Sequence, residues 1–183
     1  MNKMPKVSIS LSQRKILFCD YVDEDSAFEF MNCVNKLLAF DEKIGIKAPI
    51  EIMINSGGGS VYHGFTIMSK IEQLIDMGYH VITTNIGMCF SMAFMIFICG
   101  NERRIYRYAR CMYHDISTMV YGKLQEIRED LKESDELIGI IDKKVIEVTN
   151  LKKEELIGWR ERKIDKYFSA TESIEYGIAD IIV

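Results

Sequence analysis

The alternation of apolar and polar positions changes period several times along the chain. Arg14 to Cys19 has the pattern of a short strand bounded by Asp20 and Asp23. From Ser26 onward Ala27, Phe28, Met31, Val34, Leu37 and Leu38 follow helical spacing, and Ser26 with Glu29 forms a capping-box pair. Ile50-Glu51-Ile52-Met53-Ile54 alternates as a strand does. It runs into the turn Asn55-Ser56-Gly57-Gly58-Gly59-Ser60, after which a helix is predicted from Val61 to Met77, closed by Gly78. Tyr79 to Ile86 returns as a strand rich in β-branched residues. Strand, helix and strand in this succession predict a β-α-β unit with a right-handed crossover, and so an α/β fold.

The apolar stretch Val81 to Cys99 is long enough to span a bilayer, but Thr83, Thr84, Asn85, Gly87 and Ser91 interrupt it. A strand followed by a short buried helix, bent at Gly87, accounts for it better. Two further strand-like stretches follow, Arg104 to Tyr108 and Arg110 to His114. In Gly122 to Thr149 the apolar residues Leu124, Ile127, Leu131, Ile138, Ile141, Val145 and Val148 are spaced by three and four, with Ser134 the one gap. A helix this long either projects from the domain onto another subunit or serves as a core helix with a solvated back. No repeat, low-complexity tract or linker divides the chain, so one domain over residues 1–183 is expected.

Composition narrows the function classes. The chain has 183 residues, 48% apolar and 27% charged, with two prolines, which is the make-up of a folded globule. A net charge of −4 leaves no basic footprint for nucleic acid or an anionic membrane. The five cysteines form no C-x-x-C pair, and the stretch MNKMPKVSISLSQRK has no apolar region of signal-peptide type. Both features favour a reducing, cytoplasmic setting with free, mostly buried thiols, and no metal or other cofactor is expected.

Candidate chemistry lies at the ends of the predicted strands. Ser91 is a hydroxyl in an apolar run, either capping the helix that follows or acting as a nucleophile beside the N–H of Met92. The turn Ser56 to Ser60 matches neither a dinucleotide fingerprint nor a phosphate-binding loop. Its glycines either pack tightly or present main-chain N–H groups to an oxyanion or an extended peptide. Of the three histidines, His63 and His80 are readily surface residues, whereas His114 stands where a strand hands over to a loop. Asp115 points away from His114 if the strand continues, which leaves Asp142 and Asp165 as possible carboxylate partners.

In this order the stretches resemble the proteolytic subunits of the Clp protease, the ClpP family of serine peptidases with the crotonase-like fold. Asn55-Ser56-Gly57-Gly58-Gly59-Ser60-Val61 resembles the family's N-S-P-G-G-S-V, and Gly87 to Met92 its G-x-A-A-S-M. Met112-Tyr113-His114 resembles M-I-H. Asp165 to Ala170 resembles the segment carrying the family's aspartate, and Ile174 to Asp180 resembles A-x-E-Y-G-L-V-D. The resemblance implies repeated β-β-α units, Ser91 as nucleophile, His114 as general base, Asp165 as its orienting carboxylate, and Gly59 and Met92 N–H groups as the oxyanion hole. It also implies cleavage of peptides or unfolded proteins inside stacked heptameric rings. The helix over about 122–149 would be the interlocking handle, its apolar stripe then needing no core role. A Clp ATPase unfoldase would be a partner, though the short stretch before Lys15 implies abbreviated axial loops.

Several positions depart from the pattern. Gly57 replaces proline beside the oxyanion turn, and Cys89 and Phe90 replace two alanines, which is expected to narrow or reshape the pocket beside Ser91. Ala93 stands for glycine, Asp115-Ile116 for Gln-Pro, and Ser117 to Tyr121 lacks the family's glycines. Two other functions fit the same fold: a ring subunit without activity, and a crotonase-type acyl-CoA enzyme, which would not need Ser91, His114 and Asp165 together.

Overall fold

Asp23, not Ser26, caps the first helix in the computed structural model, which describes residues 6–117 and 121–183. The Asp23 carboxylate accepts from the Ser26 N–H at 2.8 Å, and Ser26 Oγ accepts from the Asp23 N–H at 2.9 Å. Ser26 thus closes the capping box rather than opening it, and the helix α1, Glu24–Ile44, starts earlier than the spacing predicts. Glu29 is drawn elsewhere: its carboxylate accepts from the Val7 N–H at 2.8 Å, fastening strand β1, Val7–Ser10, to the helix. This strand occupies part of the stretch before Lys15. The buried face of α1 runs through Ala27, Phe30, Val34 and Leu37, while Phe28 is 67% exposed although it lies on the predicted stripe.

β1 pairs antiparallel with β2, Lys15–Phe18, and from β2 onward the strands on the main path of the sheet pair parallel. β2 pairs with β3, Ile50–Ser56, and β3 with β4, Val81–Phe90. β4 pairs with β5, Glu102–Ile105, and β5 with β8, Ile181–Ile182. The helix α2, Val61–Asp76, makes the predicted crossover from β3 to β4 and packs beside α1.

β4 does not end at Ile86. It continues through Gly87 and changes neighbour there, pairing with β5 at Ile82–Asn85 and with β6, Arg110–Tyr113, at Met88–Phe90. Asn55 Oδ1 accepts from the Met88 N–H at 3.1 Å, and a Cβ at Gly87 would stand 2.6 Å from that oxygen. The close approach, rather than a strand break, is what requires glycine. Beyond β4, α3 (Met92–Phe97) is buried along its whole length. Each large apolar side chain it buries contributes roughly 1.5–3 kcal/mol. Among the described residues no helix is long and apolar enough to cross a membrane.

The remaining helices are α4, Leu124–Val148, α5, Lys153–Glu161, and α6, Ala170–Glu175. The apolar stripe of α4 has two fates. Ile141 and Val145 are buried in the protomer, joined by Leu137, whereas Leu124 and Leu131 are 65% and 50% exposed. The expectation that the stripe has no core role therefore fails for its second half. Of the stretch 117–121, residues 118–120 lie outside the described residues. All five cysteines are free, and only Cys19 is exposed.

Candidate active site

Ser91 joins β4 to α3 with φ 54° and ψ −124°, a conformation that costs a non-glycine residue about 1–3 kcal/mol. Three contacts hold it there. The Ser91 N–H donates to the Met112 carbonyl at 2.9 Å, tying it to β6. The buried side chains of α3 anchor the chain that follows. On the other side lies Gly58, with φ 93°, where a Cβ would stand 2.6 Å from the Phe90 carbonyl oxygen and 2.7 Å from Ser91 Cβ. Ser91 occupies the N-cap position of α3, but its hydroxyl makes no capping hydrogen bond. It faces His114 instead, with Oγ and Nε2 2.8 Å apart.

The position of His114 follows from strand register. β6 pairs antiparallel with β7, Lys166–Phe168, through Cys111↔Phe168, Met112↔Tyr167 and Tyr113↔Lys166. The next rung would set His114 opposite Asp165, and their side chains do meet, with Nδ1 and Oδ1 3.8 Å apart. That is longer than a hydrogen bond. The Asp165 side chain is 58% exposed and that of His114 25%.

The other carboxylates have different partners. Asp142 accepts from the Tyr113 hydroxyl at 2.6 Å and from Arg160 Nη2 at 2.6 Å, while Asp115 accepts from the Ile116 N–H at 2.9 Å. Burial, reinforced by the Asp142 carboxylate, pushes the Tyr113 phenol far above its usual range. The Asp142 hydrogen bonds raise Arg160 as well. His80 lies at the surface 3.5 Å from Glu102, and His63 is in the first turn of α2, apart from Ser91 and His114.

The glycine turn is strapped in place by residue 22: the Val22 N–H donates to the Gly58 carbonyl and the Ser60 N–H to the Val22 carbonyl, both at 2.8 Å. Ser56 Oγ accepts from the Gly58 N–H at 3.2 Å. Among the described residues, the N–H groups of Gly59 and Met92 donate to no acceptor. Both residues line a cavity of about 230 Å³ together with Ser91 and His114, its apolar walls including Val61, Met95, Met112 and Ile141. A hydroxyl beside an imidazole, next to free N–H groups and an apolar recess, can perform acyl transfer.

Phe90 does not line this cavity. Its ring meets Tyr167 edge-on, with centroids 5.5 Å apart, so it packs across the face of β6 towards β7 instead of narrowing the space beside Ser91. Cys89 is wholly buried, and burial pushes its thiol well up, away from nucleophilic chemistry. The Val22 strap, the wall formed by Ile141 of α4, and the Tyr113–Asp142–Arg160 cluster are tertiary contacts with no local signature in the sequence.

Comparison with known proteins bears on this arrangement. The model of a family described as Clp protease matches residues 3–183. The ATP-dependent Clp protease proteolytic subunit 1 of Chlamydia muridarum is 30% identical over 183 residues, an alignment covering 94% of this chain and 88% of the relative. The ATP-dependent Clp protease proteolytic subunit 2 of Bifidobacterium longum is 29% identical, with 94% of this chain and 80% of the relative covered. Among solved structures, a point mutant of ClpP1 from Listeria monocytogenes superposes with a TM-score of 0.81 at 23% identity, covering 94% of this chain and 92% of that one. That likeness shows the fold.

Proposed function

Since this chain belongs to the Clp protease family and has the ClpP-type α/β fold, we propose that it is a serine endopeptidase acting within a ring assembly. The observation that carries the reading is the 2.8 Å contact between Ser91 Oγ and His114 Nε2 at the mouth of an apolar cavity. In this reading His114 takes the hydroxyl proton as Ser91 Oγ attacks the carbonyl carbon of a peptide bond. Asp165, 3.8 Å from Nδ1, stabilises the imidazolium as it forms. The N–H groups of Gly59 and Met92 donate to the developing oxyanion, each worth roughly 3 kcal/mol. Collapse of the tetrahedral intermediate breaks the C–N bond, and His114 returns its proton to the leaving amine. Water, activated by the same imidazole, then hydrolyses the ester on Ser91.

The family relationship extends the proposal to stacked heptameric rings, with the exposed half of α4 at the contact between rings. It also extends to peptides or unfolded proteins as substrates, and to a Clp ATPase that delivers them. One observation favours a second reading, a ring subunit without activity: Asp165 is 3.8 Å from His114 and mostly exposed. A fluorophosphonate probe separates the two. Covalent labelling that is lost in Ser91→Ala, together with cleavage of a short peptide, is the expected result. Folded protein that neither labels nor cleaves would assign the silent role.

A further inference from the structure

Tyr113 is the last residue of β6 and His114 follows it, so by strand alternation the two side chains leave the chain towards opposite faces of the sheet. The Tyr113 ring is buried, with Phe94 of α3 at 6.1 Å and Trp159 of α5 at 6.2 Å between centroids. Its hydroxyl donates to Asp142 Oδ1 of α4 at 2.6 Å, and Asp142 is held in turn by Arg160 of α5 through contacts of 3.2 Å and 2.6 Å. Three helices thus grip the residue that immediately precedes His114, and one of them is the helix that follows Ser91. Past Tyr113 the β6–β7 ladder stops, and among the described residues the Asp115 carboxylate accepts only from the adjacent Ile116 N–H.

We infer that Tyr113 is a positioning residue for His114: its hydroxyl, tied to Asp142, fixes the roll of the β6 end and with it the distance from imidazole to Ser91. A roll of about 10° about the strand axis moves a tip about 6 Å away by roughly 1 Å, enough to break the hydroxyl–imidazole contact and slow the chemistry severely. The tie to Met112 through the Ser91 N–H fixes the separation of the two main chains, but a single hydrogen bond does not prevent roll. The buried phenol does, because its tip lies on the far side of the axis and is gripped through a charged acceptor. The M-I-H pattern that this segment resembles has isoleucine at the position of Tyr113, without a hydroxyl, so the tie is a feature of this chain rather than of the pattern.

The inference rests on Ser91 and His114 reacting as proposed, and the test separates the two claims. Tyr113→Phe keeps the ring and leaves Asp142 paired with Arg160, so the fold keeps its partly buried ion pair. With the full-length protein, the expected result is labelling of Ser91 by a fluorophosphonate about tenfold slower than in wild type. On a short fluorogenic peptide kcat falls about tenfold while KM stays within about twofold, with circular dichroism and particle mass unchanged. Should Tyr113→Phe prove insoluble, Asp142→Asn, which removes the charged acceptor, is measured in the same way and slower labelling is again expected. Wild-type labelling in the folded variant overturns the inference and leaves the proposed function standing. A loss that appears equally in KM, or with an altered assembly, overturns it in favour of a purely structural role. Wild-type protein that does not label overturns the proposed function and the inference together.

Discussion

His114 and Asp165 stand one rung beyond the last pair of the β6–β7 ladder, Tyr113↔Lys166, with Nδ1 and Oδ1 3.8 Å apart. At that distance the carboxylate does not hold the ring through a hydrogen bond. Asp165→Asn is therefore expected to lower kcat by roughly 10²-fold, less than the loss of about 10⁴-fold or more in Ser91→Ala or His114→Ala. Steady-state peptide hydrolysis by the three variants checks the order. Equal losses would show that the acting form has a tighter His114–Asp165 contact.

Gly58 is in contact with the main chain on both sides of the nucleophile position. Gly58→Ala places a methyl group against the Phe90 carbonyl and Ser91 Cβ at a φ of 93°. The expected result is a loss of at least about 2 kcal/mol in urea denaturation, together with loss of labelling at Ser91. A folded variant of wild-type stability that still labels would show that the turn can move away from Ser91.

The two halves of α4 should respond differently to substitution. Leu131, half exposed, contributes little to the protomer, so Leu131→Asp should change folding stability by about 0.5 kcal/mol or less. Its effect should appear in light scattering, as a smaller particle. Ile141, buried and lining the cavity, should cost roughly 2–5 kcal/mol as Ile141→Ala and also alter KM. An unchanged particle mass in Leu131→Asp would remove α4 from the ring contact.

Acid should weaken the fold through Asp41 of α1. Arg14 hydrogen bonds, including Nη2 to Oδ2 at 2.8 Å, hold this buried carboxyl below its ordinary range. A lowered folded-state value means that the contribution is fully present above the unfolded value of about 4 and fades as pH falls through the folded one. Asp41→Asn should cost about 3 kcal/mol at pH 7 and progressively less below about pH 4. Urea denaturation at both pH values measures the convergence. A difference that stays constant with pH would assign the loss to packing.

Much of this architecture is legible in the sequence because period is a local property. Ile50 to Ile54, the glycine turn and the helix after Val61 declare a β-α-β unit from spacing alone, and they are found where predicted. What spacing misses is set by distant partners. Glu29 leaves the capping box because Val7 claims its carboxylate, and Gly87 belongs to a strand because Asn55 needs the room. Asp142 and Asp165 cannot be told apart by residue type. Strand register brings Asp165 to His114, while Arg160 and Tyr113 occupy Asp142. Phe90 is misplaced for the same reason, since only the β4–β6–β7 order shows that its ring reaches Tyr167.

The positive φ of Ser91 sets stability against activity. At φ 54° and ψ −124° glycine would rest without strain, so the residue that the reaction requires is not the one that the backbone favours. Ser91→Gly should then melt at a higher temperature than Ser91→Ala, and above wild type as well, while being inactive. A chain drifting under selection for stability alone would lose its hydroxyl at this position first.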